Sequence, residues 1–334
     1  MSERGSAAKG FIRDTLTAGA IVLVLLLILM AYSGIWPPMV VVESGSMQHD
    51  IPGEPPVSHI GVIDTGDLVL IKKADKSSIV TYVDGMKENY RTYGEYGDVI
   101  IYYPNGDRDQ TPIIHRAIVY LELNQTTGTS YDIPSLIDYP GNWSVVPYEI
   151  SHQYVHRWYD LSGTVYLYNV GYYNVTVEIN LGTILRNNPR PNSGYITMGD
   201  NAATNAPVYD QAGSISWAHP VPASDVKGVA RGEIPWFGLM KLYFANGEIP
   251  PRTPSNSVTD LIISLAILII LPFLHDFVIA PYLDERFGRK EEEETEVLPP
   301  PPTPDRSPPS PQDGTDSLQE NTEETPPPLD GSEE

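Results

Sequence analysis

The strongest constraint on the fold is a stretch near the start of the chain, from Thr15 to Val42, that contains no charged residue. About 20 apolar residues in a helix cross the hydrocarbon core of a bilayer, and residues 16–36 supply that length. A cleaved secretory signal is the alternative, because Ala31-Tyr32-Ser33 offers small residues in a cleavage-like spacing. Secretory signals have apolar regions of about 7–15 residues, so the length favours an uncleaved anchor. Basic residues within segment 1–15 predict that this segment lies in the cytoplasm.

A second apolar segment covers residues 258–283 and is predicted to form another transmembrane helix. Its uninterrupted part, Leu261 to Leu274, is short for a full span, and His275-Asp276 interrupts it. Basic residues follow the segment, as is typical of a cytoplasmic end. With two spans, the chain is predicted to be a multi-pass protein of the cell membrane. Both of its ends then lie in the cytoplasm and residues 37–257 lie outside it.

The formal net charge of −22 is mainly a property of the C-terminal end. Residues 291–334 hold fourteen Asp and Glu against one Arg, and the wider segment 284–334 is rich in Pro and poor in large apolar residues. Such a segment cannot bury enough apolar surface to fold, which predicts a disordered cytoplasmic tail. Basic residues are few and unclustered in the rest of the chain, so nucleic acid is not an expected partner. The absence of cysteine excludes disulfides and thiolate chemistry.

Between the apolar segments, short β-type runs alternate with Gly, Pro, Asn and Asp, which predicts a mainly β ectodomain. The runs predicted as strands are Leu68–Ile71, Val99–Tyr103, Ile113–Leu123 and Val165–Val177. Residues 124–190 are rich in tyrosine and are predicted to form an inserted β subdomain. Three Asn-x-Ser/Thr acceptor triplets begin in this part of the chain, at Asn124, Asn142 and Asn174, and they favour a location outside the cell.

Two smaller features concern the strands of this ectodomain. Gly66-Asp67 and Gly97-Asp98 each enter a predicted strand, and we interpret both as strand entries without chemistry. The apolar run Trp236–Met240 allows two interpretations. It is either a surface loop that reaches the membrane interface or a buried strand.

The segment Ser44-Gly45-Ser46-Met47 follows directly on the first apolar stretch. A serine hydroxyl is a weak nucleophile at neutral pH, so Ser46 can act only with a base and with a donor for the oxyanion. Gly45 lets the backbone bend and exposes the hydroxyls beside it. The alternative is an ordinary turn at the end of an apolar segment.

One of the seven histidines would have to serve as the base for Ser46. His115 lies in the middle of a predicted strand, where a polar side chain is costly unless it has partners, and it is the best candidate. His49 and His59 are closer to Ser46 in the sequence but lie in predicted loops. A carboxylate at the end of a later strand, either Asp200 or Asp210, is suited to orient the imidazole.

Three motifs in this order are similar to those of the type I signal peptidases. They are Ser44-Gly45-Ser46-Met47 after an apolar segment, Ile113-Ile114-His115-Arg116-Ala117-Ile118, and Met198-Gly199-Asp200-Asn201. The chain more narrowly resembles the archaeal and endoplasmic-reticulum branch, in which His replaces the lysine base of the bacterial enzymes. The resemblance covers residues 20–123 and 194–245, and it includes Val221–Gly228 and Ile234–Gly238.

The resemblance implies a signal-peptidase-like β ectodomain that acts as a serine endopeptidase on the signal peptides of exported preproteins, with cleavage after small residues. By motif, Ser46 matches the nucleophile and His115 the base. Ser44 matches the serine that holds the oxyanion together with the Ser46 N–H, and Asp200 and Asp210 match two acidic positions. No metal or cofactor is implied. The implied partners are preprotein signal peptides and the lipid bilayer, and the secretion translocon is compatible with this role.

The sequence departs from the family pattern at three places. Gln48-His49 follows Met47, residues 202–206 lengthen the gap between the two aspartates, and residues 124–190 have no counterpart in the family. These departures leave open a relative that is inactive or dedicated to a few preproteins. A membrane-anchored, β-rich surface glycoprotein, in which Ser-Gly-Ser is only a turn, is the alternative from another class.

Overall fold

The computed structural model describes residues 2–147 and 153–283 of the chain. The chain divides into two units, Met1–Ile270 and Leu271–Glu334. All the strands described below belong to the first unit. The tail predicted over residues 284–334 lies outside the described residues.

The described residues are mainly β with few helices, as predicted. The strands are β1 (Met39–Val41), β2 (Leu68–Lys72), β3 (Arg91–Thr92), β4 (Glu95–Tyr96), β5 (Val99–Tyr102), β6 (Ile113–Leu123), β7 (Tyr131–Asp132), β8 (Trp143–Val146), β9 (Thr164–Val170), β10 (Val175–Asn180), β11 (Gly194–Met198) and β12 (Val226–Ile234). The helices are α1 (Ser2–Ser33), α2 (Tyr82–Glu88), α3 (Leu181–Asn187), α4 (Gly238–Asn246), α5 (Ser257–Leu274) and α6 (Ala280–Leu283), with a π-helical turn at His275–Ile279 between the last two.

Two helical segments, Thr15–Ser33 and Ser257–Leu283, are long and apolar enough to cross a membrane, and neither is buried against the rest of the protein. The prediction of two apolar helices, one near the N-terminus and one after the β strands, is confirmed to that extent. The first helix ends three residues before the predicted boundary at residue 36. It ends at Ser33 because Gly34 adopts a left-handed backbone conformation (φ 68°), which stops the helix.

The main sheet is antiparallel and has the strand order β1-β2-β12-β5-β6-β11, with β7 paired to β6. β1 is therefore an edge strand, paired only with β2 through Val40 and Val69. Buried apolar side chains from β2, β5 and β12 form the core beneath it. The chain passes from this edge strand, β1, into the Ser-Gly-Ser segment.

The insert contains a second antiparallel sheet with the order β10-β9-β8. The run Val165–Val177, predicted as a single strand, instead forms the two strands β9 and β10 with a turn at residues 171–174. The chain reverses there because Gly171 and Asn174 both adopt positive φ values, 71° and 51°. Side chains of this sheet share one apolar core with side chains of β6 and β11, so the insert packs directly on the main sheet.

The run Trp236–Met240 forms neither of the predicted structures. Trp236 lies in a turn with φ of 66°, and α4 begins two residues later at Gly238. The helix buries Leu239 on one side and exposes other apolar side chains on the opposite side. The sequence did not reveal this helix because the run Trp236–Met240 covers only its first turn.

Both Gly-Asp pairs stand at strand entries. Gly66 and Gly97 have positive φ values of 100° and 78°. The buried carboxylates that follow accept hydrogen bonds from backbone N–H groups, from Trp236 to Asp67 and from Val80 to Asp98. These contacts tie loops to the sheet.

Candidate active site

The segment with the two serines is held at both ends and exposed in the middle. Val42 donates a backbone hydrogen bond to Asp67 and accepts one from Gly66, each at 2.9 Å. The side chain of Met47 is 2% exposed and packs in the core with Val42. Between these anchors the hydroxyls of Ser44 and Ser46 lie 3.2 Å apart. The loop therefore presents two adjacent hydroxyls on a fixed backbone.

The serine loop faces a cleft of about 400 Å³ whose other wall is the start of β6. Three strands separate β1 from β6 in the sheet order, yet residues of both strands line the cleft. The cleft is lined by Val41, Val42, Glu43, Ser44, Gly45, Ser46, Met47, Thr111, Pro112, Ile113, Ile114, His115, Thr204, Asn205, Ile215 and Arg252. Three of the predicted site residues, Ser44, Ser46 and His115, thus share one cleft.

His115 is 3% exposed, and its Nδ1 lies 2.7 and 2.9 Å from the two carboxylate oxygens of Asp210. Asp210 also accepts hydrogen bonds of 2.6 Å from the hydroxyls of Tyr102 and Thr197. A carboxylate accepts protons, so Nδ1 carries the hydrogen of this bond and Nε2 is left as the proton acceptor of the ring. Burial, and then the negative charge of Asp210, raise the pKa of Tyr102 well above its usual range, so this phenol remains a donor.

Asp200 pairs with Arg116 and not with His115. The guanidinium Nη2 lies 2.6 Å from Asp200 Oδ2, and Nε lies 2.9 Å from Oδ1, which is a bidentate arrangement. His49 Nε2 approaches the same carboxylate at 3.4 Å. Burial alone would raise the pKa of Asp200, but the charge of Arg116 and the hydrogen bonds from His49 and Arg116 hold that pKa below its usual range. Of the two aspartates considered for orienting His115, the structure places Asp210 beside it.

Arg116 itself ties separate parts of the chain together. It is 1% exposed, and its Nη1 contacts the backbone carbonyl oxygens of Thr92, Glu95, Tyr96 and Gly97 at 3.0–3.3 Å. The Asp200–Arg116 pair therefore holds the β3–β4 turn against the main sheet. This is a structural arrangement next to the site, not part of the serine and histidine pairing.

The loop after β11 holds the serine segment from the other side. Asn201 donates its backbone N–H to the carbonyl oxygen of Ser46 at 2.9 Å, and its side-chain Nδ2 lies 2.8 Å from the carbonyl oxygen of Gly45. A Cβ atom at Gly199 would lie 2.6 Å from the Ser46 carbonyl oxygen, so only glycine fits there. Sequence reasoning missed Asn201, although its position directly after Asp200 in the Met-Gly-Asp-Asn motif was a signal. Nothing in the sequence pointed to Tyr102 or Thr197.

The backbone N–H of Ser46 is available to a bound group. Within the part of the chain that the structure describes, the backbone N–H of Ser46 donates to no protein group. The structure records no hydrogen bond between Ser46 and His115, whose side chains line the same cleft. Catalytic hydrogen bonds are often long without substrate and shorten to about 2.6–3.2 Å in the complex.

A separate group of carboxylates lies where β2 begins and β12 ends. Burial raises the pKa of Asp64 to about 7, of Asp67 to about 6 and of Glu233 to about 7. Their oxygens accept backbone hydrogen bonds from His59 and Gly61, among others. Among the described residues, no group of three or more His, Asp or Glu side chains is arranged to hold a metal ion.

Comparison with protein family models, with curated proteins and with solved structures finds no significant match to this chain. The geometry of the cleft and the motifs that line it are therefore the basis for a functional assignment.

Proposed function

We propose that this chain is a membrane-anchored serine endopeptidase that removes signal peptides from exported preproteins after small residues. One observation carries the proposal: His115, which is oriented by the buried Asp210, and the adjacent hydroxyls of Ser44 and Ser46 line the two walls of one cleft. A serine nucleophile needs a base oriented by a third group and a donor for the oxyanion. The residues around this cleft offer each of these parts.

The reaction we propose begins when Ser46 Oγ attacks the scissile carbonyl carbon and its proton passes to His115 Nε2. Asp210 stabilises the imidazolium that forms and keeps the ring in the productive tautomer. The Ser46 N–H and the Ser44 hydroxyl donate to the developing oxyanion. His115 then returns the proton to the leaving amine, and a water molecule, deprotonated by the same ring, hydrolyses the acyl-enzyme to regenerate Ser46.

The substrate would bind as an added strand along β1. Val40 and Val42 direct their backbone groups to β2, so the alternation of an antiparallel pair directs those of Val41 away from β2. An extended peptide can pair with such a free edge. The apolar side chains of Ile113 and Ile114 stand in the opposite wall, which suits small apolar residues before the cleaved bond.

The membrane would hold the cleft close to the signal peptide of the substrate. Ser33, at the end of α1, accepts a backbone hydrogen bond of 2.8 Å from Lys73, which directly follows β2. On α4, Tyr243 and Phe244 are 52% and 80% exposed, as suits side chains at a lipid interface. We propose that both chain ends lie in the cytoplasm and that the β domain lies on the opposite face. The lipid bilayer, the preproteins and the secretion translocon would be its partners.

The test is cleavage of a preprotein by the intact chain in liposomes, with the new N-terminus identified by mass. Ser46→Ala and His115→Ala are expected to abolish cleavage. Ser224→Ala and His59→Ala, at exposed residues outside the cleft, are the matched controls and should cleave normally. Full activity of Ser46→Ala would overturn the assignment of the nucleophile. No cleavage by folded wild type would overturn the proposal and favour the surface-protein or inactive-relative alternative.

Several unrelated preproteins should be tested in parallel. Cleavage of all of them would indicate general processing. Cleavage of one or two would instead indicate an enzyme dedicated to particular surface proteins.

A further inference from the structure

The turn of the inserted hairpin, residues 171–174 between β9 and β10, lies against the chain that follows Ser46. The ring of Tyr172 stacks on the ring of His49 with a centroid distance of 4.5 Å and an interplanar angle of 11°. The hydroxyl of Tyr173 donates a hydrogen bond to the backbone carbonyl oxygen of Asp50. Two consecutive residues of the insert, Tyr172 and Tyr173, thus hold His49 and Asp50, which directly follow the serine loop.

His49 is enclosed on its other sides as well. Its side chain is 6% exposed, and its Nε2 lies 3.4 Å from the carboxylate of Asp200, which is fixed by Arg116. A Cβ atom at Gly94 would lie 2.9 Å from His49 Cε1, so the β3–β4 turn also closes on this ring. The stack with Tyr172 is the contact that comes from the insert.

The hairpin turn is itself anchored to the main domain. Val170 and Val177, one on each strand, are fully buried in the core shared by the insert and the main sheet. The backbone N–H of Gly171 donates to the hydroxyl of Tyr82 on α2 at 3.1 Å. The turn therefore has a defined position relative to β6 and the cleft.

Hydrogen bonds of Asn201 link the region of His49 and Asp50 to the backbone of Ser46. The side chain of Asn201 lies 2.8 Å both from the carbonyl oxygen of Gly45 and from the carboxylate of Asp50, so it joins the two ends of the loop. The backbone N–H of Asn201 holds the Ser46 carbonyl oxygen between them. A displacement of the Asp50 end consequently shifts the backbone that carries the nucleophile.

We propose that the turn of the β9–β10 hairpin is a positioning element for the nucleophile, with Tyr172 and Tyr173 as positioning residues that act through His49 and Asp50. The insert is then part of the catalytic apparatus, and not only a surface for other partners. This inference rests on the proposed function, because it assigns the insert a role in the same reaction.

The expected signature is a loss in turnover without a loss in substrate binding. Neither tyrosine lines the cleft, so KM should change little when they are altered. A displacement of about 1 Å at a reacting group costs about 10²-fold in rate, so a partly released loop should lower kcat by about 10- to 100-fold. The phenyl ring of Tyr172→Phe keeps the stack, and this variant should therefore retain wild-type kcat.

The experiment compares Tyr172→Ala, Tyr172→Phe and Tyr173→Phe with wild type in the full-length chain. Tyr154→Ala is the matched control, because Tyr154 is an exposed tyrosine of the insert outside the hairpin turn. Each variant is measured for kcat and KM on one preprotein, for melting temperature, and for amide hydrogen exchange in peptides that cover residues 44–50. The exchange measurement reports the order of the loop even when no substrate is cleaved.

Lower kcat at constant KM in Tyr172→Ala, faster exchange over residues 44–50, and recovery of both in Tyr172→Phe would support the proposal. Wild-type kcat and exchange in both Tyr172→Ala and Tyr173→Phe would overturn it. If Tyr172→Ala does not fold, Tyr173→Phe, which removes a single hydroxyl, decides by the same two readouts. If wild type cleaves nothing, the proposed function fails, while the exchange data still decide whether the hairpin orders the loop.

Discussion

Asp210 and His115 lie 95 residues apart in the sequence, yet Asp210 Oδ2 and His115 Nδ1 are 2.7 Å apart in the interior of the main sheet. The Asp210 side chain is fully buried, and the hydroxyls of Tyr102 and Thr197 complete its hydrogen bonds. These two hydroxyl donors orient the carboxylate, and the carboxylate orients the imidazole. The pairing decides which ring nitrogen is free to accept a proton.

Replacing Asp210 by Asn should abolish most of the activity while the protein stays folded. The amide can present an N–H to His115 Nδ1, which would move the ring proton to Nε2 and block proton transfer from Ser46. We expect kcat to fall by about 10³- to 10⁴-fold. Preprotein cleavage under single-turnover conditions measures this, with Asp109→Asn at an exposed loop position as the control. Wild-type turnover by Asp210→Asn would exclude the role assigned to this carboxylate.

Replacing Asp200 by Asn should affect stability first. Arg116 is almost fully buried, and Asp200 is the carboxylate that its guanidinium contacts, so the substitution removes the ion pair that compensates this buried charge. Breaking such a pair costs about 3–5 kcal/mol in the free energy of unfolding. Denaturant unfolding of the detergent-solubilised chain measures the change. If Asp200→Asn were as stable as wild type, the buried ion pair would not support the fold as argued here.

Gly199→Ala should displace the serine loop. The added methyl would lie 2.6 Å from the Ser46 carbonyl oxygen and 3.0 Å from the side chain of Asn205, neither of which can move without disturbing the cleft. We expect lower kcat and a loss of about 1–3 kcal/mol in stability, as for other overpacked sites. Gly213→Ala is a matched control, since its nearest neighbour would be 3.8 Å away. Equal behaviour of the two variants would contradict the close packing inferred at Gly199.

The stability of the β domain should fall as the pH rises from about 4 to 7. Burial raises the pKa of Asp64 to about 7, of Asp67 to about 6 and of Glu233 to about 7. Because these values lie above the ordinary carboxylate pKa, the folded state binds more protons than the unfolded state in this interval. Stability from these groups is therefore fully present below about pH 4 and is lost as the pH passes the folded-state values.

Glu233→Gln tests this pH dependence at one site. The oxygen Oε1 accepts from the Gly61 N–H, and Oε2 is buried without a hydrogen-bond partner within the described residues. An amide keeps the first contact and removes the buried charge, so the variant should be more stable at pH 8, by about 1 kcal/mol after allowance for solvent screening. Thermal melts at pH 5 and pH 8 measure the change, and Glu178→Gln at an exposed strand position should leave both melts unaltered. If the dependence of stability on pH were the same in Glu233→Gln as in wild type, Glu233 would be excluded as a source of that dependence.

The local features of this chain could be predicted from the sequence because they depend on residues close together in it. Runs of apolar residues set the positions of the two long helices, and β-branched runs located strands such as Ile113–Leu123. The turn within Val165–Val177 was missed, since a single glycine and an asparagine in a β-rich run do not stand out from the strand pattern. The start of α4 was missed because the apolar run Trp236–Met240 contains only the first three residues of this helix.

Local sequence patterns were enough to predict a mainly β protein with two apolar helices and to identify Ser44, Ser46 and His115 as candidate site residues. The sequence left both Asp200 and Asp210 open as partners of the histidine, because both follow the same strand. Only the tertiary structure separated them, by burying Arg116 beside Asp200 and placing the hydroxyls of Tyr102 and Thr197 around Asp210. It also brought the hairpin turn of the insert onto His49. These pairings join residues far apart in the chain, and strand register and core packing bring them together.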